Sequence, residues 1–365
     1  MRNAPAKAQK ANDKKETPFC YTPRSGDPVN VFILYASLLT CTVILTFSCN
    51  GPSQTTPADR PDIAFTGDLI SEATRIIREG LADENPLVRV NVIEVVATNK
   101  RIRLMPKVKR LLKDEFVPVR FAAALAVGDL EYSLAKGSVS KLLQDQNPNV
   151  RIAAAYAMSK LGSGSDFGLV REAIISRDQT VRANAALLLG KSGDKNTLKF
   201  LYWALQHKDS DFKVRFQAAE AIAMLGDERI YPKLWTMLIS KYADDRVVGI
   251  KAMGALGTEQ ARDALITALG DRVLEVRLAA AEQLGTLGDT TGEPEVLDVF
   301  TKNLTAGRDK KSLEFVNVLT ALAIGRIGTP RLTRFLPQLL QNESKFVRIA
   351  AAKAVFSTYS EKSAP

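Results

Sequence analysis

The sequence predicts an all-α protein, and within that class an α-solenoid, a superhelix of about nine helical hairpins. Three observations predict this fold. A short alanine-rich apolar segment recurs in one register, helix-starting and helix-ending residues bound the copies, and aromatic residues are too few to favour a β-sandwich. The register residues of the successive copies are Arg89, Arg120, Arg151, Arg182, Arg215, Arg246, Arg277, Asn317 and Arg348.

The spacing between these register positions is mostly 31 residues. A fixed period of this length indicates a repeat array, in which each unit contacts its neighbours and the chain can outgrow one compact domain. Two steps are longer, 33 residues from Arg182 to Arg215 and 40 residues from Arg277 to Asn317. The second predicts an insertion near residues 289–309, which we expect to form a surface loop.

Residues 145–162 show how one repeat sets its helix ends. Asn147 suits the N-cap, and Pro148 is tolerated directly after it because the first amides of a helix have no helical acceptor. Gly162 can take the left-handed conformation that ends a helix. A less alanine-rich helix precedes each such segment, so each repeat is predicted to be a helical hairpin.

The chain divides into five predicted parts before any chemistry is considered. They are a basic polar leader at 1–28, an apolar export signal or membrane anchor at 29–49, a flexible tether at 50–66, the repeat array at 67–359 and a tail at 360–365.

The apolar segment ends at Cys49, and Leu45-Thr46-Phe47-Ser48-Cys49 resembles the lipobox of bacterial lipoproteins. That resemblance implies a mature chain that begins at a lipidated Cys49. If the segment is not cleaved, its roughly 20 apolar residues are enough to span a bilayer. In both interpretations the basic leader stays inside and the repeats lie outside the cytoplasmic membrane. A third interpretation, a buried or spurious segment, stays open.

Aspartates precede several register arginines by six positions. We expect these pairs to form a structural ladder between repeats, with charge-assisted hydrogen bonds to helix ends. The pairs are Asp83 and Arg89, Asp114 and Arg120, Asp145 and Arg151, Asp209 and Arg215, and Asp271 and Arg277. With this spacing the array resembles the HEAT-repeat family, in particular its short alanine-rich, bilin-lyase-like members. The resemblance implies an α-solenoid, and the lyase-like members suggest a role in cofactor or chromophore attachment as an alternative function.

Sites for catalysis or metals are hard to assemble from this composition. The three cysteines all precede the repeats, and His207 is the single histidine of the chain. Phosphate-binding, dinucleotide-binding and nucleophile-elbow motifs are missing from the sequence. We therefore expect no enzyme activity, no metal and no cofactor.

A basic cluster covers the first helix of the second repeat. Its members are Lys100, Arg101, Arg103, Lys107, Lys109, Arg110 and Lys113. Such density could bind nucleic acid phosphates, but export would remove the chain from nucleic acid, so anionic lipid headgroups or an acidic protein are the favoured ligands. A solvated surface without a ligand is the plain alternative.

A second set of residues stands five positions after each register residue. It comprises Glu94, Leu125, Tyr156, Leu187, Glu220, Lys251, Glu282, Leu322 and Lys353. Because five of the nine are charged, we expect this column to face solvent along a concave groove, with Leu125, Tyr156 and Leu187 as an apolar strip that binds a partner. Local burial of those three is the alternative.

These observations together predict an exported, membrane-anchored, non-catalytic scaffold that binds a protein partner along its groove. Cofactor attachment is the first alternative, and nucleic-acid binding through the basic cluster is a second, less favoured one. The sequence does not determine the oligomeric state.

Overall fold

The structure, a computed structural model, describes residues 63–163 and 167–359. The predicted leader, the apolar segment with Cys49, most of the tether and the tail lie outside the described residues. The first helix begins at Ile63, inside the stretch predicted as tether. None of the described helices is long and apolar enough to cross a membrane.

Regular secondary structure in the described residues is entirely helical. The helices are α1 (Ile63–Gly80), α2 (Pro86–Thr98), α3 (Met105–Arg110), α4 (Val117–Asp129), α5 (Lys136–Lys141), α6 (Pro148–Lys160), α7 (Gly168–Ala173), α8 (Gln179–Lys191), α9 (Leu198–Gln206), α10 (Phe212–Met224), α11 (Tyr231–Leu238), α12 (Ala243–Leu256), α13 (Glu259–Ala268), α14 (Leu274–Thr286), α15 (Glu293–Thr301), α16 (Lys310–Ile327), α17 (Pro330–Thr333), α18 (Leu336–Leu340) and α19 (Lys345–Tyr359).

The helices form hairpins in which a first, outer helix leads into a second, alanine-rich inner helix. The inner helices are α2, α4, α6, α8, α10, α12, α14, α16 and α19. The predicted helix ends are confirmed in α6, where the Asn147 side chain accepts from the Asn149 amide at 2.9 Å and Gly162 has a φ of +86°. The predicted α-solenoid of helical hairpins is therefore the observed architecture.

Small residues bring neighbouring inner helices close together. A Cβ atom placed on Gly128 would lie 2.9 Å from the Cα of Ala157, and one placed on Gly325 would lie 2.5 Å from the Cα of Ala354. Side chains larger than these would push the helix axes apart. The alanine and glycine content of the inner helices thus gives the array a tight inner radius.

The array closes into a ring. Helix α1 packs against α19, and α2 also contacts α19. The inner helix of the first repeat is therefore a neighbour of the inner helix of the last repeat. One apolar cluster runs through this closure and includes Leu69, Val92, Val347 and Phe356. The ends of the described chain therefore share a core, as successive repeats do.

Polar contacts accompany the apolar core at the closure. Lys345 Nζ lies 2.7 Å from Asp83 Oδ2, and Lys353 Nζ lies 3.0 Å from Glu94 Oε1. The guanidinium carbon of Arg101 lies 3.7 Å from the centre of the Phe356 ring. These pairs join residues that are more than 250 positions apart in the sequence.

The extra residues of the 40-residue step from Arg277 to Asn317 lie near α15. This helix takes the outer position of its repeat, and turns at residues 302–309 lead from it to α16. Arg308 of these turns contacts the buried Glu275 at 2.6 Å. The predicted insertion is thus an outer helix followed by an extended turn that is fixed to the inner layer.

Candidate functional site: the axis and the outer surface of the ring

The ring has two rims. At the amino rim the inner helices begin, as at Asn85 and Asn147, and at the carboxyl rim they end and the next outer helices begin, as at residues 99–101. The hairpin connection places every outer helix antiparallel to the inner helix that follows it. The sites predicted from sequence divide between the amino rim, the ring axis and the outer surface.

The arginine ladder lies at the amino rim. Arg120 Nη1 donates to the Asp114 carbonyl at 2.9 Å, and its Nε donates to Asp145 Oδ2 of the next repeat at 2.9 Å. Arginines that donate to the carbonyl six residues earlier are Arg89, Arg120, Arg151, Arg182, Arg246, Arg277 and Arg348. Each of these arginines thus donates to a backbone carbonyl at the end of an outer helix or in the turn that follows it.

The aspartates of the ladder connect one repeat to the next. Arg89 donates to Asp114 at 2.8 Å, and Arg246 donates to Asp271 at 2.7 Å. Burial opposes the charged form of Asp145, but hydrogen bonds from Arg120 and from the Asn147 amide outweigh it and lower the pKa of that carboxyl. The arrangement stabilises the junctions between repeats.

Asp209 does not occupy the ladder position predicted for it. Its side chain is exposed, and Arg182 donates to Ser210 Oγ at 3.1 Å instead. Arg215 donates to the carbonyls of Ser210 and His207. The two extra residues of this repeat shift the turn, so a six-residue spacing in sequence no longer gives the equivalent place in space.

The column predicted to face solvent is buried, so that prediction is wrong. None of its residues is more than 7% exposed, and this holds for Glu94, Leu125, Tyr156, Leu187, Glu220, Lys251, Glu282, Leu322 and Lys353. The reason is ring closure, because a stripe that would face a groove in an open solenoid faces the other inner helices around a common axis. We call this set the axial layer.

The charged members of the axial layer are buried together. Lys353 pairs with Glu94, and Gln217 Nε2 donates to Glu220 Oε2 at 2.8 Å. Burial raises the pKa of Glu94 and of Glu220, against the attraction of nearby lysines, and burial lowers the pKa of Lys251. One carboxylate oxygen of each axial glutamate is buried without a hydrogen-bond partner: Glu94 Oε2, Glu220 Oε1 and Glu282 Oε2.

Tyr156 lies in the packed interior rather than on a binding strip. Its hydroxyl donates to Asp129 Oδ1 at 2.8 Å, and Lys191 lies 3.1 Å from the other oxygen of that carboxylate. Burial, together with the negative charge of Asp129, raises the pKa of the tyrosine. Leu125 packs in the same apolar cluster and Leu187 is buried, so the three residues do not form an exposed strip.

The described residues contain no group of three or more histidine, cysteine or acidic side chains that could hold a metal ion. His207 lies against Trp203, with ring centres 4.3 Å apart. Among the described residues, the axial layer is buried and does not present an exposed stripe to a partner helix.

The basic cluster is mostly exposed on the outer surface. Lys100, Arg103, Lys107, Arg110 and Lys113 are exposed, Arg101 packs on Phe356, and Lys109 donates to the Leu134 carbonyl at 2.6 Å. Burial lowers the pKa of Arg101. The large aliphatic side chains of Ile102 and Leu134, 46% and 71% exposed, stand among these charges.

Sequence reasoning missed a second outer surface, which we call the apolar patch. It lies along three consecutive outer helices and their ends and comprises Leu169, Ile175, Trp203, Trp235 and Ile239. Ile175 and Ile239 are 64% and 67% exposed. The signal in the sequence was the helical phase, because Trp235 follows the buried Leu234 by one position and Ile239 follows the buried Met237 by two.

Comparison with known protein families matches three segments of the chain. The family described as HEAT repeats matches residues 168–248 and 241–312, and the HEAT repeat description matches residues 137–165. No match to a curated protein was found.

Solved structures with a similar arrangement include human deoxyhypusine hydroxylase in complex with glycerol, at 17% identity, 72% coverage of this chain, 98% of that chain and a TM-score of 0.36. The complex of CpcE and CpcF of phycocyanin lyase from Nostoc sp. PCC7120 matches at 17% identity, with coverages of 69% and 94% and a TM-score of 0.39. Kap121p matches at 14% identity, with coverages of 83% and 38% and a TM-score of 0.33. All three TM-scores are below 0.5, so the description of the fold rests on the helical hairpins of this chain and not on these matches. The matched segments identify HEAT repeats at residues 137–165 and 168–312, and the same helical hairpins continue on both sides of them.

Proposed function

We propose that the protein is a non-catalytic scaffold, tethered to a membrane by its N-terminal segment, which binds a protein partner on the apolar patch. The observation that carries this proposal is the contrast between the filled axis and the exposed apolar patch. A surface of large exposed apolar side chains indicates a contact with another macromolecule.

The composition of the apolar patch favours a protein partner. Tryptophan is enriched among the residues that dominate protein interfaces, and Trp203 and Trp235 stand on neighbouring outer helices. Arg182 lies over the Trp203 ring at 5.4 Å, and Tyr231 stacks on Trp235 with ring centres 6.5 Å apart. Such support holds the exposed rings in place, which reduces the entropy lost on binding.

A photoreactive amino acid placed at Trp203 or Trp235 tests the patch in cells that produce the protein. Thr267, exposed on α13, is the matched control position. We expect one discrete crosslinked protein from the patch positions and none from position 267. Equal crosslinking at all three positions, or none at any, contradicts a specific partner site.

The tether is tested separately by intact mass and fractionation of the native protein and of the Cys49→Ala variant. A membrane-bound chain that begins at a lipidated Cys49, and becomes full-length in the variant, supports lipidation. A membrane-bound full-length wild type supports an uncleaved anchor. A soluble full-length wild type contradicts tethering.

The two alternatives from sequence are less well supported. Chromophore attachment needs an accessible pocket, whereas the axial layer is closed by its own side chains. Nucleic-acid binding rests on the basic cluster alone, and no contact in the ring favours it over other anions.

A further inference from the structure

The N-terminal segment joins the ring at the carboxyl rim. Helix α1 ends at the turn that leads into α2 at the amino rim, so its first residue, Ile63, lies toward the opposite rim. Because α1 packs on α19, whose last described residue is Tyr359, the chain enters beside the closure. The predicted apolar segment is therefore connected to the ring at this point of the carboxyl rim.

Basic residues flank the entry point on both sides. The turn before α3 holds Lys100, Arg101 and Arg103, and the region around α17 holds Arg326, Arg331 and Arg334. Ring closure brings these two turns to either side of α1 although they are distant in sequence. Exposed carboxylates in the same part of the rim are Asp68 and Glu131, and Arg331 lies 3.3 Å from Glu293. Basic residues outnumber acidic ones at the entry point, so its net charge is positive.

The turns that lead into α11 and α13 hold Asp227, Glu228 and Glu259. Asp227 is paired with Arg229, and Glu293, at the start of α15, is paired with Arg331 of the entry side. An anionic surface would attract the basic residues at the entry point.

Two aliphatic side chains project from the positive part of the rim. Ile102 stands between Arg101 and Arg103, and Leu134 lies in the turn before α5, where Lys109 donates to its carbonyl. Exposed aliphatic tips surrounded by lysine and arginine are typical of surfaces that enter the headgroup region of a bilayer.

We infer that the entry side of the carboxyl rim docks on an anionic lipid bilayer, with Ile102 and Leu134 in the headgroup region and the basic residues against the lipid phosphates. The inference rests on the proposed tether, which holds this side of the ring at the membrane. Docking leaves the outer surface of α7, α9 and α11 free for a protein partner.

Quenching by brominated lipids tests the docking in the full chain. A fluorescent amino acid is placed at Leu134 and, as the control, at the exposed Glu115 near the amino rim, and vesicles contain either phosphatidylcholine alone or a mixture with phosphatidylglycerol. We expect quenching at position 134 in the anionic vesicles, little in the neutral ones and none at position 115. Flotation of the vesicles reports membrane attachment independently.

Charge-reversal variants separate the roles of the rim and the tether. Because each basic residue strengthens binding to an anionic surface about fivefold, Arg103→Glu with Lys107→Glu should weaken docking by about 25-fold or more. Lys208→Glu with Lys233→Glu makes the same charge change on another part of the ring and should leave quenching unchanged.

Each remaining outcome decides against docking. Flotation without quenching overturns docking and keeps the tether, whereas loss of both overturns the two proposals together. Equal quenching in neutral and anionic vesicles overturns the role of the charges. Binding of polyglutamate at position 134 without lipid quenching assigns the surface to an acidic protein instead.

Discussion

The closure of the ring and the interior junction between α4 and α6 show two ways of joining repeats. At the interior junction Arg120 pairs with Asp145, Tyr156 bonds Asp129, and Gly128 allows close approach. Its partners are 25 to 29 positions apart, so one rule repeated along the chain can build it. At the closure, residues such as Lys353 and Lys345 serve that one junction. The apolar core is common to both junctions, whereas the polar contacts identify which repeats meet.

The largest expected effect is at the buried pair of the closure. Lys353→Met leaves Glu94 buried without its partner, and we expect a loss of about 3–5 kcal/mol in the free energy of unfolding. Combination with Glu94→Met should recover most of that loss, because neither charge is then buried alone. Denaturant unfolding of the three variants measures the coupling. Additive losses in the double variant would show that the pair does not link the ends.

We expect substitutions at the interior junction to lower the free energy of unfolding by less than Lys353→Met does. Arg120→Ala removes two bonds to backbone carbonyls and the pair with Asp145, which we expect to cost about 1–3 kcal/mol. Arg151→Ala is the matched control, since Arg151 donates to two backbone carbonyls in the same way, but the next repeat has Ser176 at the sequence position of the aspartate. Thermal unfolding should therefore show a smaller loss for Arg151→Ala. Equal losses would assign the whole effect to the carbonyl bonds.

The axial layer should give the ring an unusual dependence on pH. Burial raises the pKa of Glu220 in the folded state. The stabilising contribution of Glu220 to the free energy of unfolding is therefore fully present below its unfolded pKa of about 4.3, and it is lost as the pH rises through the folded pKa. Glu220→Gln should make the free energy of unfolding less dependent on pH in that range, because the amide does not titrate. Urea titrations from pH 4.5 to pH 8 measure this. A steeper dependence in the variant contradicts the assignment.

The smallest effect is expected at the exposed pair of the closure. The Lys345 side chain is 54% exposed, so Lys345→Ala should change the free energy of unfolding by less than about 1 kcal/mol. Added salt should reduce even that difference. A loss as large as that of Lys353→Met would mean that the two pairs act as one unit, and the comparison between buried and exposed contacts at the closure would fail.

The features that sequence predicts well are local. The period, the Asn147 cap, the Gly162 terminus and the hairpin in each repeat depend on residues within one unit. Asp209 shows the limit of this reasoning, because two extra residues in the turn move Ser210 into the ladder position. Spacing predicts a partner only where the intervening turn keeps its length.

Ring closure could not be read from a local pattern, because it depends on the small rotation between repeats summed over the whole array. That is why the charged column was predicted to face a groove. Only the opposite charges at the two ends of the column, on Glu94 in the first repeat and Lys353 in the last, indicated that the ends of the array could meet. The apolar patch was missed because a solvent-exposed tryptophan in an outer helix resembles a core residue until its phase is compared with buried neighbours.

Closure also fixes how many repeats this protein can have. An open solenoid can gain or lose a unit during evolution and remain folded, since only the unit's neighbours are affected. In this ring, an added or deleted hairpin would separate α1 from α19 or force them to overlap, and Glu94 and Lys353 would lose each other. Duplication of a 31-residue unit, the event from which such arrays grow, is therefore expected to be selected against once the ring has formed.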